Sequence, residues 1–184
     1  MSSQARHAHL YFAYGSNLHP ARMAARLAAP QLLDAIALPG WTRVFDKRGR
    51  DGSAKCTIVP AAEGVHGALY ALTPADKARL DAIEGLGTGY DELLLDLPGI
   101  GAASTYVARA EARASGLAIF DWYRDLVLAG ALYLQFPAAE IARLTALPTV
   151  PDPDPARAVL HARLLAACRS HPPRACISRT VPRK

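Results

Sequence analysis

The sequence predicts an α+β fold: a mostly antiparallel sheet that curls into a barrel, with helices flanking it. Three observations carry this. Seven short apolar segments of strand character come before a late block of helical pattern. Strands and helices do not alternate as they would in a doubly wound fold. The 184 residues are 51% hydrophobic, enough for one domain to bury a core without disulfide or metal staples.

The elements follow in order. His9 to Tyr14 is aromatic-rich and is stopped by Gly15, as a short buried strand would be. Pro20 suits the first position of a short helix running on through A-R-M-A-A-R-L-A. Leu32 to Leu38 and Trp41 to Phe45 read as two strands around a Pro39-Gly40 turn. Asp46 to Lys55 reads as a charged loop, followed by short strands at Cys56 to Val59 and Val65 to Leu72. Thr73-Pro74-Ala75-Asp76 is a helix start with cap, proline and first-turn acid, and Gly85 is its stop. Glu92 to Leu97 and Ser104 to Arg109 complete the strands. Phe120, Tyr123, Val127, Ala131 and Leu134 recur at helical spacing, and a second helix starts near Pro137. The proline-rich run Leu147 to Pro155 breaks regular structure before a last helix, Ala156 to Cys168.

Charge and composition exclude several classes. The formal charge of +5 is not spread over the chain. From Arg169 onward there are five basic residues and no acid, so the rest is neutral. A neutral body, and a basic tail without interleaved aromatics, argue against nucleic-acid binding. The longest nearly apolar run, Leu126 to Phe136, is shorter than the ~20 residues a spanning helix needs. The N-terminus shows no secretory h-region. Cys56, Cys168 and Cys176 are odd in number and form no C-x-x-C pair, which points to a reducing cytoplasm.

Two places could carry chemistry. Tyr14-Gly15-Ser16-Asn17-Leu18 lies between a strand end and a helix start, where outward amides suit a carboxylate or an oxyanion. Read alone, it also fits a plain connecting turn in which glycine eases the bend. Glu84 ends its helix, where the carbonyl dipole disfavours a carboxylate, so helix stability does not explain it. It suits a general base, and read alone it also fits a solvent-facing acid. The histidines form no H-x-x-x-H or H-E-x-x-H metal motif, and Ser16 lacks the G-x-S-x-G frame of a nucleophile elbow. Arg43, Lys47, Arg48, Arg50 and Lys55 around the 46–55 loop read as a solvated loop, with an acidic substrate group as the other possibility.

These segments together resemble a known family. Y-F-A-Y-G-S-N-L (Tyr11 to Leu18) closely resembles the opening of the gamma-glutamylcyclotransferase-like family, which includes the AIG2-like and butirosin-pathway cyclotransferases. V-H-G-A-L-Y-A-L (Val65 to Leu72), L-D-A-I-E-G (Leu80 to Gly85) and W-Y-R-D-L-V-L-A-G-A (Trp122 to Ala131) are similar to later family segments, in order. The resemblance covers about residues 8 to 147. It implies a catalytic domain over 1–147; beyond it, composition alone reads 148–169 as a proline-rich linker and packed helix and 170–184 as a flexible basic tail. The resemblance implies a mixed, barrel-like sheet in which Tyr14, Gly15, Ser16, Asn17 and Leu18 cradle a gamma-glutamyl group.

The resemblance further implies that Glu84 is the acid/base and that Tyr90 and Tyr123 line the pocket. The substrate's own α-amine would attack its γ-carbonyl, forming 5-oxoproline and releasing an amine or amino acid. The glutathione-degrading branch typically carries Y-G-S-L, so Asn17 points away from it. No metal or organic cofactor is implied, the only partner is the small substrate, and the state is monomer or homodimer. The alternative function is a non-catalytic pocket for an acidic ligand.

Overall fold

A computed structural model describes residues 9–174. Strand β1 (His9–Ala13) runs through the middle of a five-stranded mixed sheet, of order β2-β3-β1-β5-β4. Tyr11, Phe12 and Ala13 are all buried, as a strand covered on both faces requires. It is antiparallel to β3 (Ala54–Leu72) and parallel to β5 (Gly101–Ala108). Strands β4 (Tyr90–Leu97) and β5 form an antiparallel pair at the other edge.

The seven expected strands are five. Leu32 to Leu38 and Trp41 to Phe45 belong to one strand, β2 (Gln31–Arg48), and Cys56 to Val59 and Val65 to Leu72 belong to β3. Pro39-Gly40 is not a turn. It is a register shift in the β2–β3 ladder, with two more shifts at Leu32/Asp34 and Phe45/Lys47. Strand β2 is an edge, where a proline's missing N–H is tolerated, and such bulges bend the ribbon. The 46–55 loop shrinks to a hairpin tip, where Gly49 N donates to Ser53 O at 2.7 Å.

The bend makes the sheet barrel-like without closing its ladder. The far half of the hairpin arches over the end of β5, where Ala108 N donates to Thr57 Oγ1 at 2.9 Å. Ala54 N donates to Ala118 O, and Ala114 N to Asp46 O, both at 2.8 Å. These bonds seal the seam.

Helix α1 (Pro20–Ala24) starts on a His19 cap, whose Nδ1 accepts from Ala21 N at 3.1 Å. Burial holds that imidazole down at about 4. Helix α2 (Pro74–Glu84) starts as its sequence dictates, with Thr73 Oγ1 accepting from Asp76 N. Helix α3 (Asp121–Tyr133) buries Trp122, Tyr123, Leu126, Val127 and Ala131 against the sheet. Helices α4 (Ala138–Thr145) and α5 (Pro155–Arg169) follow.

The proline-rich run before α5 is stitched to α3. Val150 N donates to Ile119 O, and Asp121 N donates to Val150 O. Asp152 accepts from Trp122 Nε1 at 2.7 Å and from both Nε and Nη2 of Arg157 at 2.6 Å. That fork holds the Asp152 carboxyl well below the usual carboxylate range. Of the segment read as a basic tail, residues 175–184 lie outside the described residues. Within the described part, Arg174 N donates to Tyr133 O, and its guanidinium reaches Leu33 O and Asp34. Among the described residues, no helix is long and apolar enough to cross a membrane.

Candidate active site

The loop Tyr14 to Leu18 carries the chain from β1 into α1, and Leu18 N closes it by donating to Gly15 O at 3.1 Å. Gly15 is not among the residues of left-handed backbone. Its need for glycine is space. A Cβ there would stand 3.2 Å from Cys56 Cβ and 3.5 Å from the Tyr123 hydroxyl. This corrects the expectation that glycine serves the bend. Among the described residues, the Gly15, Ser16 and Asn17 amides meet no backbone acceptor.

Glu84 is the last residue of α2, and Gly85 ends the helix with φ +72°. Its Oε1 receives Asn17 Nδ2 at 3.0 Å and Arg26 Nη1 at 2.8 Å. Arg26 Nη1 also donates to Asn17 Oδ1 at 2.9 Å, and Asn17 Nδ2 donates to the Tyr11 hydroxyl at 3.1 Å. One carboxylate oxygen is thus fixed by two donors that are themselves held together. No described residue hydrogen-bonds Oε2.

Around Glu84 and the loop lies a narrow cavity of about 30 Å³, walled by tyrosines. Three of their hydroxyls are tied to backbone and two to side chains. Tyr90 OH donates to Cys56 O at 2.8 Å, and the Tyr123 hydroxyl accepts from Cys56 N at 2.9 Å. Tyr14 OH donates to Tyr106 O, and Tyr106 OH donates to Asp81 at 2.6 Å. Burial raises the pKa of all five, Tyr11 included, so they are neutral hydroxyls at physiological pH. Burial likewise pushes the Cys56 thiol up to about 11.

The structure therefore brings Glu84, Tyr14, Gly15, Ser16, Asn17, Tyr90 and Tyr123 to one cavity. Leu18 stands apart, contrary to expectation. Its side chain is fully buried against Gly130 of α3, and its carbonyl accepts from Tyr70 OH at 2.9 Å. Sequence reasoning missed Tyr11, Cys56 and Tyr106 in the wall, and Arg26 on Glu84. Tyr11 opened the quoted motif, and alternation from Tyr11 along β1 would have been its only signal.

The basic residues near the hairpin tip divide. Arg43 is buried, with Nε donating to Tyr14 O at 2.6 Å and Nη1 to Glu140 at 2.7 Å, so it positions the loop. Arg48 is exposed. Lys47, Arg50 and Lys55 line a second cavity of about 300 Å³, which shares Ser16, Glu84, Tyr90 and Tyr123 with the first. Lys47 is 8% exposed, so this stretch is not the solvated loop it was expected to be.

A family model described as gamma-glutamyl cyclotransferase, AIG2-like, matches residues 11–124. The chain belongs to this family. No curated protein matches it. A solved structure titled gamma-glutamyl cyclotransferase is 18% identical, with TM-score 0.70 over 85% of this chain and 99% of that one. An uncharacterised human protein is 20% identical, with TM-score 0.68 over 79% and 90%. YkqA from Bacillus subtilis is 19% identical, with TM-score 0.65 over 80% and 58%. At these identities the likeness is one of fold. Every residue of the inner cavity falls inside the gamma-glutamyl cyclotransferase match, whereas α5, which lends Arg157 and His161 to the second cavity, falls beyond it.

Proposed function

We propose that this protein is a cyclotransferase that closes a gamma-glutamyl group to 5-oxoproline. The observation that carries the reading is Glu84. One of its oxygens is fixed by Asn17 and Arg26, no described residue hydrogen-bonds the other, and the carboxylate shares a cavity wall with the tyrosines and with Gly15, Ser16 and Asn17. Family membership adds to it.

In this reaction the nucleophile belongs to the substrate. The enzyme folds the γ-glutamyl chain so that its α-amine approaches the γ-carbonyl, which removes most of the entropic barrier to ring closure. The α-ammonium gives up two protons, one to solvent to free the attacking lone pair and one to Glu84 as the new C–N bond forms. The amides of Gly15 to Asn17 suit the oxyanion that develops on the γ-oxygen. Glu84 then returns the proton to the departing nitrogen as the old C–N bond breaks. Ser16 is not needed as a nucleophile, and among the described residues its hydroxyl bonds no histidine.

The test is 5-oxoproline release from a panel of gamma-glutamyl amides by wild-type protein and by Glu84→Gln. Release that disappears in the variant supports the reading. Equal release by both removes Glu84 from its role. The alternative, a non-catalytic pocket for an acidic ligand, has the neighbouring cations in its favour and would give no 5-oxoproline from any amide.

A further inference from the structure

The second cavity has a wall with six cationic side chains and two carboxylates, Asp51 and Glu84. Three of the cations are already satisfied. Arg26 holds Glu84, Lys55 holds Asp51 at 2.7 Å, and Arg157 forks onto Asp152. Arg22, Lys47 and Arg50 meet no carboxylate among the described residues. Lys47 Nζ instead lies 4.7 Å from the centre of the Tyr90 ring, at the edge of the inner cavity.

Two buried polar atoms in the same wall have no hydrogen-bond partner, Arg22 Nε and His161 Nδ1. Buried polar groups are almost always paired, so two orphans on residues that line one cavity mark a wall whose polar groups the fold itself leaves unsatisfied. The His161 ring is fixed, stacked on Trp122 at 3.6 Å. Burial and the neighbouring Arg26 hold Arg22 down at about 10, and burial lowers Lys47 as well. These are charges held together without neutralisation, the state that a bound anion relieves.

The reacting γ-carbonyl must lie beside Glu84, on the boundary that the two cavities share. With the γ-carbonyl at that boundary and the attacking α-amine toward the tyrosine-lined side, the departing amine is left facing the cations. We infer that the leaving amine is itself anionic and carries at least two negative charges, as carboxylate or phosphate, held by Arg22, Lys47 and Arg50. The inference rests on the proposed cyclotransferase activity. The glutamyl α-carboxylate supplies only one charge, and it is common to every conjugate in the comparison below.

The experiment keeps the glutamyl half constant and varies the leaving amine: ethylamine, alanine, glutamate and O-phosphoethanolamine, with the ε-amine of lysine as a zwitterionic control of no net charge. The expected result is a kcat/KM at least about tenfold higher for the two dianionic conjugates than for ethylamine. The ratio of glutamate to O-phosphoethanolamine tells carboxylate from phosphate. The preference should shrink as salt rises, and in the double variant Lys47→Gln/Arg50→Gln. Values for all conjugates within about twofold, or preference for the lysine conjugate, overturn the inference. If no conjugate releases 5-oxoproline, it is the proposed activity that fails. Calorimetry with free O-phosphoethanolamine and ethanolamine then decides the anion site by itself. Tighter binding of the phosphorylated amine, lost in the double variant, supports it, and equal binding overturns it.

Discussion

The two adjoining cavities follow opposite rules of construction. In the inner one, neutral tyrosine hydroxyls are tied to backbone, to Asn17 or to Asp81, and the single carboxylate has one oxygen fixed. In the outer one, three of six cations meet no carboxylate among the described residues, and two buried nitrogens are left unpaired. A satisfied wall holds its geometry before anything binds, which is what positioning a ring closure demands. An unsatisfied wall is incomplete until a charged group arrives, which suits choosing among ligands. Under the proposed function, chemistry and selection are divided between two neighbouring surfaces.

The sharpest way to break that division is Glu84→Gln. It should lower turnover at least about 100-fold while leaving melting temperature and circular dichroism unchanged. A variant within a few-fold of wild type would put the chemistry elsewhere. Next comes the pair Gly15→Val and Ser16→Ala. Valine's branches would enter the space held by Cys56 and the Tyr123 hydroxyl, so substrate binding should be lost, as titration calorimetry would record. Alanine at 16 should keep most of the turnover. A covalent glutamyl adduct on Ser16 by intact mass would refute the backbone role of the loop. Arg26→Gln should fall in between, lowering kcat about tenfold with KM little changed, because it frees Glu84 Oε1 rather than removing the carboxylate. A larger change in KM than in kcat would make Arg26 a substrate contact instead.

The smallest expected effect is on acid stability. His161 of the outer wall, like His19 under α1, is held down at about 4 by burial. In the unfolded chain each titrates near 6.5, so the unfolded state takes up protons first as pH falls. Stability should therefore be complete above about pH 6.5 and decline toward pH 4. His161→Gln should flatten part of that decline in melting curves, and a saturating anionic amine should too. A flat profile in wild type would mean that neither imidazole is buried in its neutral form.

What the sequence displayed was local. The Tyr14 to Asn17 loop and the capped helix ending at Glu84 were legible because proline, glycine and cap residues act on their own neighbours. The α+β class was legible as well. Five strands looked like seven because Pro39-Gly40 has the chemistry of a turn, yet at a sheet edge it serves equally as a bulge. Arg26 was invisible because its contact with Glu84 spans 58 residues and leaves no periodic trace. Leu18 was misassigned because a motif marks the loop without saying which side chains turn inward. The basic residues near the hairpin tip looked solvated because charge predicts exposure on average. Only the arching of the hairpin puts Lys47 and Arg50 over the site.

The clamp on Cys56, whose carbonyl and amide are held by Tyr90 and Tyr123, has a consequence for the order in which the protein assembles. These bonds join residues 34 and 67 apart, and the Tyr14–Tyr106 bond joins residues 92 apart. Contacts of such separation must wait for large loops to close, whereas the β4–β5 pair and the individual helices can form from near neighbours. The inner cavity is thus a late product of folding, with no precursor in any fragment of the chain. A refolding trace should recover helical ellipticity first, and the capacity to bind only when the arched hairpin locks down.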